Sequence, residues 1–249
     1  MAIIDSHAHL HLREGFTSSL VAIMDRLGID KTVVVAGGTV SPDTLSKHYC
    51  EGGGVDADVD NRAVLKECLT TRGRLLPFYY ANPYRGTEEY ESIGSRFFGL
   101  KLAPIVHGVP FGDPRISAFL DVARFFSHPV YFHCLPRAGF GVSDLVVLAE
   151  KFSDISFIMG HGGVGHGDFT GINLIEPVKN IFFEISGSFT AATRVACKKL
   201  GADRVLFGSE YPLQDHRVEL AKIECLELNQ EDYEKITSKN IRQLLHMDN

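Results

Sequence analysis

Tryptophan is absent from this 249-residue chain, and its five cysteines (Cys50, Cys68, Cys134, Cys197, Cys225) form no C-x-x-C pair. An odd number of scattered thiols fits a reduced, cytoplasmic protein better than a disulfide framework. Cationic excess is also lacking: 25 Lys and Arg against 31 Asp and Glu leave a net charge of −6. Without a broad electropositive surface, nucleic acid is not expected as the main partner. Long apolar runs are missing as well, since every stretch is broken by Gly, Asp or Lys before it could cross a bilayer. The opening Met1-Ala2-Ile3-Ile4-Asp5 carries neither a basic n-region nor an apolar h-region, so no membrane or export role is expected. What the chain does have is 45% hydrophobic residues, enough for a sizeable core, and eleven histidines. The histidines direct the search toward metal or proton chemistry.

Eight short runs rich in Val, Ile, Leu and Phe recur: Ile3 to Asp5, Thr32 to Ala36, Leu75 to Ala81, Phe97 to Leu102, Val130 to His133, Ser156 to Met159, Ile181 to Ile185 and Val205 to Gly208. Their near-continuous apolar character predicts parallel strands buried on both faces. Helical spacing follows most of them, at Ser18 to Leu27, Asn61 to Thr71, Ile116 to Phe126, Ser143 to Phe152, Thr190 to Leu200 and Val218 to Leu228. Asn229 to Leu245 reads as a closing helix capped by Asn229. Eight βα units in this length predict an α/β fold, a (β/α)8 TIM barrel forming a single domain over residues 1–249. The helix-to-strand turns are tight, whereas Gly37 to Asp60, Ala103 to Arg115, Cys134 to Val142, His161 to Gly171 and Ser209 to His216 are long. The working face is therefore expected at the carboxyl ends of the strands. A doubly wound sheet would put a Gly-rich phosphate turn in the first loop, which carries histidines instead. Gly37 to Asp60, with Gly52-Gly53-Gly54, reads as a mobile lid or a disordered loop.

The first strand ends Asp5-Ser6-His7-Ala8-His9. Residues two apart on a strand project to one face, so His7 and His9 can offer imidazoles to one point, though an isolated H-x-H is equally readable as two polar residues at a strand end. His133 ends the fifth strand and His161 follows the sixth, each after a buried apolar run where an unpartnered imidazole is costly. Glu210, in Gly208-Ser209-Glu210-Tyr211-Pro212, would complete a mixed N/O ligand set for a divalent ion or accept a proton from water, or is a solvated loop residue. Lys101, inside the apolar fourth strand, needs a partner or a function: an anionic substrate, an ion pair with Glu210, or carbamylation to bridge two metals.

This ordered set, His7-Ala8-His9, Lys101, His133, His161 and the Gly208-Ser209-Glu210-Tyr211-Pro212 carboxylate, resembles the amidohydrolase superfamily over nearly the whole chain. Within it the chain is most similar to the compact metal-dependent hydrolases and decarboxylases related to aminocarboxymuconate semialdehyde decarboxylase. The resemblance implies that His7, His9 and His133 bind a divalent metal, usually Zn2+. His161 would ligate a second metal or act as a catalytic histidine beside the water that the metal activates. One position departs from the pattern, because the family carries aspartate where this chain has Glu210. The extra methylene is large against ligand tolerances of about 0.2 Å: Glu210 ligates from a shifted backbone, or reaches only the water that the metal activates, or the site is poor in metal, and Asp215 on the same loop is a lesser substitute. His161, Glu210 and Lys101 are the expected catalytic residues. Arg137, a guanidinium suited to gripping a carboxylate, and His107, His11 and His166 on the long loops are the expected substrate contacts. His48, His128, His216 and His246 read as surface residues, and Cys134 as packing.

The expected activity is hydrolysis of an amide, lactone or related C–N or C–O bond of a small molecule, with one or two metal ions and with a homo-oligomer compatible. The rivals are a non-oxidative decarboxylase of an unsaturated or aromatic acid, a TatD-type nuclease, and a binding barrel in which the change to Glu210 has removed the chemistry.

Overall fold

The computed structural model describes residues 2–165 and 167–247. Its strands are β1 (Ile3–Leu10), β2 (Ile29–Ala36), β3 in two halves (Leu75–Pro77 and Tyr79–Tyr80), β4 (Leu100–Leu102), β5 (Val130–Phe132), β6 (Phe157–Met159), β7 (Ile181–Glu184) and β8 (Val205–Leu206). Every neighbouring pair is parallel. The first half of β3 pairs with β2 and the second with β4, and the Phe78 N–H bridges the gap by donating to the Val34 carbonyl. The ring closes between the ends of the chain's strand set: Ser6 N–H donates to the Phe207 carbonyl and His9 N–H to the Tyr211 carbonyl, beside a parallel bridge from Ala8 to Tyr211. All eight predicted strands are present, so the closed barrel follows the apolar runs.

Alternation along the strands separates two environments. Leu100, Leu102, Val130, Phe132, Phe157, Met159, Ile181 and Phe183 pack with helix residues such as Phe119 and Leu145. The alternate residues Lys101, Tyr131, Ile158 and Glu184 are fully buried and point inward. The register sets Lys101 beside Tyr131 and Tyr131 beside Ile158. Helices occupy Phe16–Leu27, Asn61–Leu69, Pro114–Phe125, Val142–Lys151, Thr190–Leu200 and His216–Glu224 on the outer side. Asn229 caps the closing segment through Asp232 N–H, and that segment contains a π-turn at Lys235–Lys239 between two short α-helical pieces. It is fastened under the barrel by Asn240, whose amide donates to the Ala202 and Val205 carbonyls at 2.7 and 2.8 Å.

The loop over residues 37–60 differs from expectation, because it holds a ten-residue helix, Pro42–Glu51. Its start is encoded locally: the Ser41 hydroxyl accepts from Thr44 N–H, Pro42 occupies the first turn and Asp43 follows. The glycines after it serve close approach, not slack. A Cβ on Gly54 would overlap the His107 carbonyl, while Val55 N–H donates to the Val106 carbonyl at 2.9 Å.

Three histidines read as surface are buried: His48, His128 and His216. His128 packs under the barrel with Nδ1 2.7 Å from the Tyr90 hydroxyl. Burial, with a smaller push from His246, lowers its pKa to about 4. The unfolded ring titrates near 6.5 and therefore takes up a proton first as pH falls, so this contribution to stability is complete above pH 6.5 and is lost progressively down to pH 4. The loss approaches about 3 kcal/mol. Chemical denaturation from pH 7.5 to 4.5 should show that slope in the parent and a shallower one in His128→Phe.

Candidate metal centre

The carboxyl ends of the strands bring four predicted residues to one point. One donor atom each from His7, His133, His161 and Glu210 lies within 4.8 Å of the others. Four nitrogen and oxygen donors gathered this closely form the kind of set that holds a divalent ion at about 2.0–2.2 Å. Glu210 Oε2 stands 2.8 Å from His7 Nε2 and 3.6 Å from His161 Nε2. Both His7 ring nitrogens, His133 Nδ1 and Glu210 Oε2 are buried without hydrogen-bond geometry to any partner. Orphaned lone pairs of this kind are costly, and a shared divalent cation relieves them. The residues present therefore fit a metal.

Burial first, and the Lys101 charge second, hold His7 and His133 well below the ordinary imidazole range, which leaves both rings neutral and able to donate electron pairs. Two of the four residues owe their position to backbone that L-residues rarely adopt: His161 and Glu210 both have φ 57°. His9 stands one contact further out, with Nε2 3.2 Å from Glu210 Oε1 and its ring edge-on to His7 at 5.0 Å. The extra methylene of Glu210 is thus used: one oxygen reaches into the four-residue set and the other meets His9.

Lys101 is fully buried. Its Nζ lies 2.8 Å from His133 Nε2 and 3.8 Å from the centre of the Tyr131 ring. Of the roles open to Lys101, the ion pair with Glu210 is not formed among the described residues, where the amine meets His133 instead. Burial lowers the amine's pKa to about 7, against the opposing pull of Glu210 and Glu184. Asp215 is excluded as a substitute ligand, since it caps the helix His216–Glu224 and pairs with Arg217 at 2.7 Å.

The expected substrate contacts divide. His11 is half-buried at the barrel mouth, with its ring 5.2 Å from that of Phe16. His107 is fully buried and its Nε2 is 3.1 Å from the Ala57 carbonyl, so it braces a loop instead of facing substrate. Arg137 is likewise engaged: its guanidinium donates to the carbonyls of His48 and Tyr49, tying the strand-five loop to the Pro42–Glu51 helix. His107 is not part of the four-residue set. His166 lies outside the described residues.

Two networks behind the set escaped the sequence reading. Asp5 accepts from the N–H groups of His7 and Ser209 and from the Ser209 hydroxyl. With His216 beside it at 3.3 Å, it locks β1 to the loop carrying Glu210. Glu184, on β7, accepts from the Tyr131 hydroxyl, the Ser186 hydroxyl and the His161 N–H. Burial raises its pKa to about 7 despite those donors. A carboxylate inside Phe182-Phe183-Glu184-Ile185 is as anomalous as Lys101 in its strand, and that signal was legible. A Cβ on Gly208 would overlap the Glu184 carboxylate. Gly208→Ala should therefore lower stability by about 1–3 kcal/mol in denaturant titration, whereas Gly112→Ala, where a Cβ meets nothing within 4 Å, should change little.

A parallel barrel with an N/O donor set at its carboxyl mouth defines a class of metal-dependent enzymes. The amidohydrolase family model matches residues 4–247, and the chain belongs to that family. Comparison with curated protein sequences gives no match. Among solved structures, a protein assigned as a 2-pyrone-4,6-dicarboxylic acid hydrolase from Pseudomonas putida superposes with TM-score 0.74 at 16% identity, covering 100% of this chain and 98% of the other. A 2,6-dihydroxybenzoate decarboxylase from Rhizobium gives 0.71 at 16% identity, covering 100% of both chains. A dihydroxybenzoic acid decarboxylase from a Polaromonas species, with bound manganese and 2-nitroresorcinol, gives 0.71 at 15% identity, covering 100% of this chain and 98% of the other. The fold is shared with both kinds of enzyme. Among the described residues no helix is long and apolar enough to cross a membrane.

Proposed function

We propose that this enzyme hydrolyses a C–O or C–N bond, of the lactone or amide kind, in a small molecule at a divalent metal held by His7, His133, His161 and Glu210, with His9 alongside. The observation that carries the reading is the convergence of these four donors within 4.8 Å, with His161 25% and Glu210 12% exposed toward the mouth. A divalent ion bound there lowers the pKa of water toward neutrality and polarises a carbonyl oxygen. Glu210, through the oxygen that faces His9, accepts the water's proton, and His9 disperses the charge. Glu210 then passes that proton to the leaving group, while His161, held neutral by burial, keeps the Nε2 electron pair with which it would hold the ion. Lys101, whose amine sits at the balance point between charged and neutral, offsets negative charge developing at the substrate oxygen. Zn2+ and Mn2+ both suit such a nitrogen and oxygen set. The proposed partner is a small-molecule substrate, with neither nucleic acid nor membrane involved.

Decarboxylation is the second reading, favoured by the aromatic-acid decarboxylases among the structural neighbours. The observation against it is that Arg137, the expected carboxylate clamp, is committed to the backbone carbonyls of His48 and Tyr49. A panel of lactones, amides and aromatic acids, assayed in parallel for proton release and carbon dioxide release, separates the two. Proton release on a lactone, or amine release on an amide, abolished by chelator and restored by Zn2+ or Mn2+, is expected. Carbon dioxide as the sole product would replace hydrolysis with decarboxylation.

A further inference from the structure

Counting protons in the network behind His161 gives a result that neither the family nor the donor set supplies. The Ser186 hydroxyl has one hydrogen and gives it to Glu184 Oε2 at 2.8 Å. Its oxygen also lies 2.9 Å from His161 Nδ1. Since the hydroxyl hydrogen is already used, that contact needs the hydrogen on Nδ1. At the other end of the ring, His161 Nε2 lies 3.4 Å from the Tyr131 hydroxyl. That hydroxyl has also spent its hydrogen on Glu184 Oε2, at 2.7 Å, so this contact too would need a hydrogen on the ring. A neutral ring carries one, and the shorter contact, at Nδ1, takes it. Glu184 further accepts the His161 N–H at 3.1 Å and the Ser186 N–H at 2.7 Å, so one carboxylate fixes the backbone and both hydroxyls around the ring.

We infer that Glu184 is a positioning residue that, acting through Ser186, holds His161 as the Nδ1–H tautomer and so leaves the Nε2 electron pair free at the mouth of the barrel. The backbone bond also supports His161 in its left-handed conformation, φ 57°. Both glycines that flank the network are needed for it: a Cβ on Gly160 would overlap the Tyr131 ring and hydroxyl, and one on Gly208 would overlap Glu184. The use of the free Nε2 pair rests on the cation reading given above. The tautomer itself does not.

Two-bond proton–nitrogen correlation spectra of the metal-free protein at pH 8, with the His161 signals assigned from a His161→Gln variant, read the tautomer directly. In the parent, the Nδ1–H form should exceed the Nε2–H form about tenfold, the scale of one buried hydrogen bond. Ser186→Ala, which removes only the hydroxyl, should reverse the ratio and weaken Zn2+ binding by calorimetry about tenfold to a hundredfold. Glu184→Gln should narrow the ratio in the same direction, and if that protein fails to fold, Ser186→Ala decides alone. A parent ring protonated on Nε2, or a ratio unchanged in a natively folded Ser186→Ala, overturns the inference. The Nδ1–H form in a parent that takes up no Zn2+ or Mn2+ would sustain the tautomer and sink the cation reading instead.

Discussion

A His7→Ala/His9→Ala protein, purified without chelator, is expected to contain no stoichiometric divalent metal and to turn over substrate about 10³-fold more slowly than the parent. The magnitude follows from the several kcal/mol that a Lewis acid contributes to stabilising transition-state charge, at 1.4 kcal/mol per tenfold. His7 brings two orphaned nitrogens to the set and touches Glu210 Oε2 at 2.8 Å, and His9 holds the other Glu210 oxygen. Losing both rings removes one donor and releases the carboxylate that supplies another. Atomic emission analysis of metal content, with far-ultraviolet circular dichroism to show a native fold, reads the result. Retention of the parent's metal content in the double variant would remove His7 and His9 from the cation site and the proposed chemistry with them.

Glu210→Asp is expected to lose metal affinity about tenfold to a hundredfold, although it restores the residue type that the sequence pattern leads one to expect. The carboxylate would withdraw by one carbon–carbon bond, about 1.5 Å. Metal–ligand distances tolerate about 0.2 Å. In this chain the reach of glutamate is matched to a left-handed backbone at φ 57° and to two contacts at once, His7 and His9. Calorimetric titration with Zn2+ and Mn2+, beside steady-state rates, measures the effect. Tighter binding or faster turnover in Glu210→Asp would mean that the glutamate marks a degenerate site, the binding-barrel reading.

The legible part of the site was the part written at strand ends. His7, His133, His161 and Glu210 each end an apolar run or follow one within a few residues, and parallel strands in a closed barrel deliver such positions to one rim. The illegible part was made of contacts between residues far apart in sequence. Asp5 meets Ser209 and His216 across barrel closure, and His216 read as a surface residue because its immediate neighbours, Asp215 and Arg217, are polar. His107 and Arg137 lie on the working-face loops as expected, but which way a loop side chain turns depends on competing backbone acceptors. The Ala57, His48 and Tyr49 carbonyls won those competitions.

Periodicity and burial cost act along the chain, so sequence alone determined the strands, the parallel barrel and the four side chains that converge at its carboxyl rim. Direction and proton inventory are set by neighbours in space. Only the tertiary structure decided that Lys101 meets His133, that Arg137 serves the scaffold, and that a glutamate on β7 stands behind His161.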